Sequence, residues 1–203
     1  MNAQRISTRA LSLTIAFTAS ISAQQVSDPA PALLLQLQSR ETTDKAREAL
    51  LKKADTDADV RAYLARNLPA IIQNSSRFTQ SCFNAVRLAG ELKTAEAAPA
   101  LARWIGVDNV GGEITAGSWR RLESVPAGKA LAQIGDPAIP SLANVLERGT
   151  ARERVYAYLA LNLIASERAM TALHNRLERE DNQVIRKEIE DVTKMSHPRT
   201  VQE

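Results

Sequence analysis

The stretch Val125-Pro-Ala-Gly-Lys-Ala-Leu-Ala-Gln-Ile-Gly135-Asp-Pro-Ala-Ile-Pro140-Ser-Leu-Ala-Asn-Val-Leu-Glu147 decides the fold, together with the segment that follows it. A charged turn leads into Val155-Tyr-Ala-Tyr-Leu-Ala-Leu-Asn-Leu-Ile-Ala165-Ser-Glu-Arg-Ala-Met170-Thr-Ala-Leu-His-Asn175-Arg-Leu177. These read as two helix–turn–helix units laid end to end. Ile139, Leu142, Ala143 and Leu146 keep the i, i+3, i+4, i+7 spacing of one helical face. Ile185, Ile189 and Val192 keep the same phase near the end of the chain. A short helix pair cannot bury its apolar stripe alone, so such pairs stack on copies of themselves.

Weaker copies lie upstream. Val60-Arg-Ala-Tyr-Leu-Ala-Arg-Asn-Leu68 matches Val155-Tyr-Ala-Tyr-Leu-Ala-Leu-Asn-Leu163 at seven of nine positions. Read as equivalent places in two repeats, Tyr63 and Tyr158 would share a packing role. Asn67 and Asn162 would bond to backbone at a repeat junction. Ala98-Pro-Ala-Leu101, Ile139-Pro-Ser-Leu142 and Met170-Thr-Ala-Leu173 mark the second helix of a pair, and Ala30-Pro31-Ala32-Leu33 reads as a fourth copy. The preceding helix carries Leu-Ala at Leu64, Leu88, Leu131 and Leu159, spaced by 24, 43 and 28 residues. Helices are predicted at about 31–39, 43–53, 58–73, 78–92 and 183–195. Asp44 and Asp57 serve as caps or first-turn charges, and Pro69 is expected to bend or restart the third helix.

This pattern resembles HEAT repeats, in particular the short repeats of phycobilisome-lyase-like proteins. Asp57-Ala-Asp-Val60-Arg61 before Leu64-Ala65 is similar to the family's Asp…Val-Arg…Ala signature. Ile134-Gly135-Asp136-Pro137-Ala138-Ile139-Pro140-Ser-Leu142 is similar to its turn and second helix. Asp181-Asn-Gln-Val184-Ile-Arg186 resembles the opening of a last unit. The resemblance covers roughly residues 30–195. It implies an all-α fold: an armadillo-like α-solenoid, a right-handed superhelix of stacked helix pairs. The family is a scaffold class with many functions, so the fold alone says little about activity.

The chain has 203 residues, enough for one domain with a sizeable core. Residues 1–23 read as a secretory signal peptide: Arg5 and Arg9, then an apolar run from Ala10 to Ile21, then Ser20-Ile-Ser-Ala23 as the cleavage site. That run is too short and too rich in Ser and Thr for a membrane span. No other segment is apolar enough to form one. The expected organisation is therefore a signal at 1–23, a flexible lead-in at 24–30, a repeat domain at 31–195 and a tail at 196–203. The expected location is outside the cytoplasm, periplasmic or extracellular. The formal charge is +3, from 26 basic and 23 acidic residues. Removing Arg5 and Arg9 with the signal leaves 24 against 23. That weighs against the concentrated basic surface nucleic-acid binding needs. Cys82 is the single cysteine, so no internal disulfide can form, and its apolar neighbours predict a buried, inert thiol.

The 43-residue gap holds Gly106-Val-Asp108-Asn-Val-Gly-Gly-Glu113-Ile-Thr-Ala-Gly-Ser-Trp119, where four of the eight glycines fall within twelve residues. Insertions in repeat proteins map to loops, often on the binding side. Trp and Arg are favoured interface anchors, so Arg103, Trp104, Asp108, Glu113, Trp119, Arg120 and Arg121 form the candidate partner-binding set. The competing reading is a surface loop with both tryptophans packed against its base. The glycines precede no Gly-Lys-Ser/Thr, and Asp108, Asn109 and Glu113 lack the alternation of a calcium loop. His174 and His197 supply no His-rich metal site, and no nucleophile-elbow sequence is present. The runs Glu147-Arg148, Arg152-Glu-Arg154 and Arg176-Leu-Glu-Arg-Glu-Asp181 alternate in sign, as on a solvated face. The expectation is an exported, non-enzymatic scaffold that binds another protein, with no cofactor and no metal. The alternative is a lyase-like protein assisting a modification reaction inside the cell.

Overall fold

A computed structural model of the protein describes residues 29–107, 122–183, 185–187 and 189–190. The expected signal peptide, residues 108–121 of the glycine-rich segment and the tail lie outside the described residues. Within them the chain is all-helical, without strands. The helices are α1 (Pro29–Leu37), α2 (Thr43–Thr56), α3 (Ala58–Asn74), α4 (Gln80–Glu91), α5 (Ala98–Ala102), α6 (Pro126–Ile134), α7 (Ile139–Arg148), α8 (Ala151–Ile164) and α9 (Glu167–Leu177). A last helical segment includes Gln183, residues 185–187 and residues 189–190. No helix among the described residues is long and apolar enough to cross a membrane.

The helix starts follow from side-chain capping, which satisfies N–H groups the first turn leaves without partners. The Asp57 carboxylate accepts from the N–H groups of Asp59 and Val60 at 2.9 and 3.2 Å. Asp44 supplies the acidic first turn of α2. Thr79 Oγ1 accepts from Cys82 N at 3.3 Å to open α4, and Ser166 Oγ from Ala169 N at 3.2 Å to open α9. At α8 the caps are reciprocal: Glu153 N donates to Thr150 Oγ1, and Thr150 N donates to Glu153 Oε2 at 2.7 Å. Gly135, with φ of +82°, stops α6 in a conformation that only glycine adopts easily.

Pro69 does not restart a helix. It lies inside α3, which runs unbroken to Asn74. Leu64, Leu68 and Ile72 are fully buried on one face that spans the proline. Tertiary packing of that stripe outweighs the single hydrogen bond Pro69 removes.

Packing neighbours set out two rows. The even helices α2, α4, α6 and α8 each lie against the next even one, and α3, α5, α7 and α9 do the same. Within the pairs, α2 packs on α3 and α8 on α9, while α5 packs on α6 and α7 on α8. Three of the four second-helix markers fall in one row. Leu101, Leu142 and Leu173 are buried in α5, α7 and α9, each four residues after a buried alanine: Ala97, Ala138 and Ala169. Short 3-10 turns at Ala95–Ala97 and Asp136–Ala138 lead into α5 and α7, each with a proline in the first turn.

The seven-of-nine match is a different matter. Val60–Leu68 belongs to α3 in one row and Val155–Leu163 to α8 in the other. Leu68 is fully buried whereas Leu163 is 61% exposed. The two segments are alike in composition and do not occupy equivalent places. Asn67 does bond to backbone, but Nδ2 donates to the Tyr63 carbonyl of its own helix at 2.8 Å. The α1 copy is out of phase as well, since Leu34 is buried and Leu33 only half-buried.

Candidate functional site

Arg103 and Trp104 follow α5 and reach the C-terminal end of α3. The last carbonyls of a helix have no partner within it. Three of those of α3 are met from outside the helix. Trp104 Nε1 donates to the Ile72 carbonyl at 3.1 Å, Arg103 Nη1 to that of Gln73 at 2.8 Å, and Ser75 Oγ to that of Ile71 at 2.9 Å. The Arg103 guanidinium also places positive charge where the α3 dipole is negative. The Trp104 ring packs on Phe78 with centroids 5.4 Å apart, and Phe78 meets Phe83 edge-on at 6.4 Å. Arg87 lies over the Phe83 ring at 5.6 Å.

Trp104 is therefore fastened by its ring and by its N–H, and it works as a cross-helix cap. This agrees with the reading in which the tryptophan packs at the base of the segment. Arg103 is exposed, with one of its donors committed. Asp108, Glu113, Trp119, Arg120 and Arg121 lie outside the described residues. The ends of the intervening segment are placed. A side chain at Gly106 would stand 2.9 Å from Glu153 Cγ, so bare backbone runs over the first turn of α8. The chain returns at Leu122, which is buried close to Gly128 of α6.

An open groove of about 700 Å³ lies at the other side of the α3 terminus. Gln38 and Arg40 of the α1–α2 turn, Ile71 and Asn74 of α3, and Gln80 and Cys82 of α4 are among its lining residues. Cys82 is a free, buried cysteine. Burial raises its thiol pKa, and a hydrogen bond with Ser75 opposes part of that rise. A thiol held protonated is a poor nucleophile. Next to this groove the α2–α4 contact is polar. Asn84, fully buried, donates through Nδ2 to Asp44 Oδ1 at 2.7 Å and to Thr43 Oγ1 at 3.2 Å. Among the described residues no group of three or more His, Cys, Asp or Glu side chains is arranged to hold a metal ion.

The alternating charge run near the C-terminus is not wholly solvated. Glu180 is buried at 2% exposure between Arg154 of α8 and Arg176 of α9. The outer members behave as the sequence suggests: Arg179 pairs with Glu147 at 2.8 Å in the open. The buried cluster was not legible because Arg154 and Glu180 are far apart in sequence. The i, i+4 pair of Arg176 and Glu180 was its only local trace. No protein-family model matches the chain, and no curated protein matches it.

Proposed function

We propose that this protein is an exported α-solenoid of HEAT-like helix pairs, wound as a right-handed superhelix, whose function is to bind another protein. The observation that carries the reading is the two-row packing, in which each helix from α2 to α7 meets the next helix of its own row. Such a stack grows by adding pairs and offers long faces to a partner. The leader-like sequence of residues 1–23 supports export. The contact is assigned to the side bearing the segment that begins at Gly106, with the exposed Arg103 at its edge and Asp108, Glu113, Trp119, Arg120 and Arg121 along it. Trp104, already committed to α3, is left out of that contact set.

The test is in-cell photo-crosslinking from probes at positions 119 and 103, read by mass spectrometry in the envelope fraction. One recurring protein partner supports both the binding role and the face. Envelope recovery with no crosslink from either position moves the contact elsewhere. Recovery of the intact, uncleaved chain in the cytosol overturns export and returns the lyase-like intracellular role.

A further inference from the structure

Glu180 occupies the turn after α9, yet its carboxylate is held inside. Arg176 Nη2 lies 3.0 Å from Oε2 and Arg154 Nε 3.3 Å from the same oxygen. Arg154 Nη2 donates to Oε1 at 3.4 Å, and the Asn182 N–H donates to it at 3.1 Å. From the opposite direction Arg186 donates through Nε and Nη2 to the Glu180 carbonyl, at 3.1 and 2.8 Å. One residue thus joins α8, α9 and the helical segment that starts at Gln183. The hydroxyl of Tyr158, on α8, is buried in the same neighbourhood.

The geometry points to a charge-dependent latch: Glu180 holds the C-terminal helical segment onto α8 and α9, and that segment opens as a unit when the carboxylate charge is removed. The charge balance explains why. Two guanidiniums share this one buried carboxylate. A second carboxylate, Glu147, is taken by Arg179 at 2.8 Å. Without the Glu180 charge, two poorly hydrated cations face each other with no anion between them. The location explains why the response is local. Among the described residues of the segment, Ile185 and Ile189 are the buried apolar side chains, whereas α8 alone buries Val155, Tyr156, Ala157, Tyr158, Ala160 and Leu161. An element with few buried apolar side chains opens before one with many.

Hydrogen exchange read by mass spectrometry on the full chain tests this. Glu180→Gln keeps the shape and one acceptor while deleting the charge. It should lower protection of amides 185–190 by about tenfold or more and leave α4 and α6 at wild-type protection. Arg186→Ala removes only the clamp on the carbonyl, from an exposed side chain, and should loosen the same amides. If Glu180→Gln fails to fold, Arg154→Met, which removes one of the two guanidiniums on the carboxylate, takes its place and should lower protection of the same amides. Wild-type protection of 185–190 in the folded variants overturns the latch, as does a parallel loss across α4 and α6.

Discussion

Gly90→Ala should destabilise the protein, although helix propensity alone favours the change. Gly90 is buried near the end of α4 where that helix crosses α6. A Cβ there would stand 2.7 Å from Ala130 Cα, 2.8 Å from Ala130 Cβ and 2.5 Å from Gln133 Oε1. The Gln133 amide is the end of a flexible side chain and can swing away. The Ala130 Cα is backbone and cannot. Carbon atoms rest at about 3.5–4.0 Å, so the two helices must part by roughly 0.8 Å or more. The interface that opens includes Ala85, Val86 and Ala89 of α4 and Ala127 and Leu131 of α6, all fully buried. Overpacking of this kind costs about 1–3 kcal/mol. Replacing a helical glycine returns about 0.5–1 kcal/mol, and less so near a helix end. The net loss is about 1–2 kcal/mol. In a chain of this size that lowers Tm by roughly 3–6 °C. Urea unfolding followed by far-UV circular dichroism should show a lower midpoint at an unchanged slope. An unchanged or higher midpoint would refute the close α4–α6 crossing, because propensity would then act unopposed.

Ala160→Leu, at a fully buried position of α8, should cost about 1–3 kcal/mol. Ala132→Leu, at a half-buried one in α6, should stay within about 1 kcal/mol, and equal thermal shifts would contradict the assigned burial. Cys82 and Tyr158 both have pKa values raised mainly by burial, so the folded state keeps protons that the unfolded chain releases. Stability should therefore fall as pH rises above the ordinary thiol value of 9.0 and further above the ordinary tyrosine value of 10.0, a slope that Cys82→Ala with Tyr158→Phe should flatten. Trp104→Phe keeps a ring against Phe78 but strands the Ile72 carbonyl, at a cost of about 1–3 kcal/mol measured by urea midpoint. The chain lacking residues 1–23 should bind duplex DNA negligibly at physiological salt in a fluorescence anisotropy titration, given its near-neutral charge.

The helices themselves were legible because their signals are local. Asp57, Thr150 and Ser166 cap where a short polar side chain precedes an apolar-periodic run, and the predicted 58–73 helix differs from α3 by one residue. What was not legible depended on partners distant in sequence. Trp104 could be read as an interface anchor or as packed at the base of the loop, because nothing near it in the chain shows that the α3 terminus needs its N–H. Glu180 looked solvated because its buried partner Arg154 is contributed by the preceding helix pair. Pro69 looked like a bend or restart because the stripe of Leu64, Leu68 and Ile72 that carries the helix past it becomes a stabilising force only when the neighbours are in place.

The mismatch between α3 and α8 separates two kinds of sequence signal. Identity at seven of nine positions joined segments from different rows, because Val, Ala, Tyr, Leu and Asn at those spacings suit any well-covered helix. The weaker signal joined three helices of one row. Ala97 with Leu101, Ala138 with Leu142 and Ala169 with Leu173 put a small side chain one turn before a leucine. In α5 and α7 the small residue sits where a 3-10 turn hands over to the helix, and both caps have nearly the same backbone angles, φ of −80° and −83° with ψ of −13° and −15°. A larger side chain at that corner would hold the second helix off the core, and a smaller one in place of the leucine would leave a void. The pair alone does not mark that junction, since Ala46 with Leu50, Ala127 with Leu131 and Ala157 with Leu161 are buried at the same spacing inside α2, α6 and α8; what α5 and α7 share is the 3-10 corner and the proline that follows it. That corner joins α5 to α7 and is absent before α3, α8 and α9, which start instead from the side-chain caps of Asp57, Thr150 and Ser166.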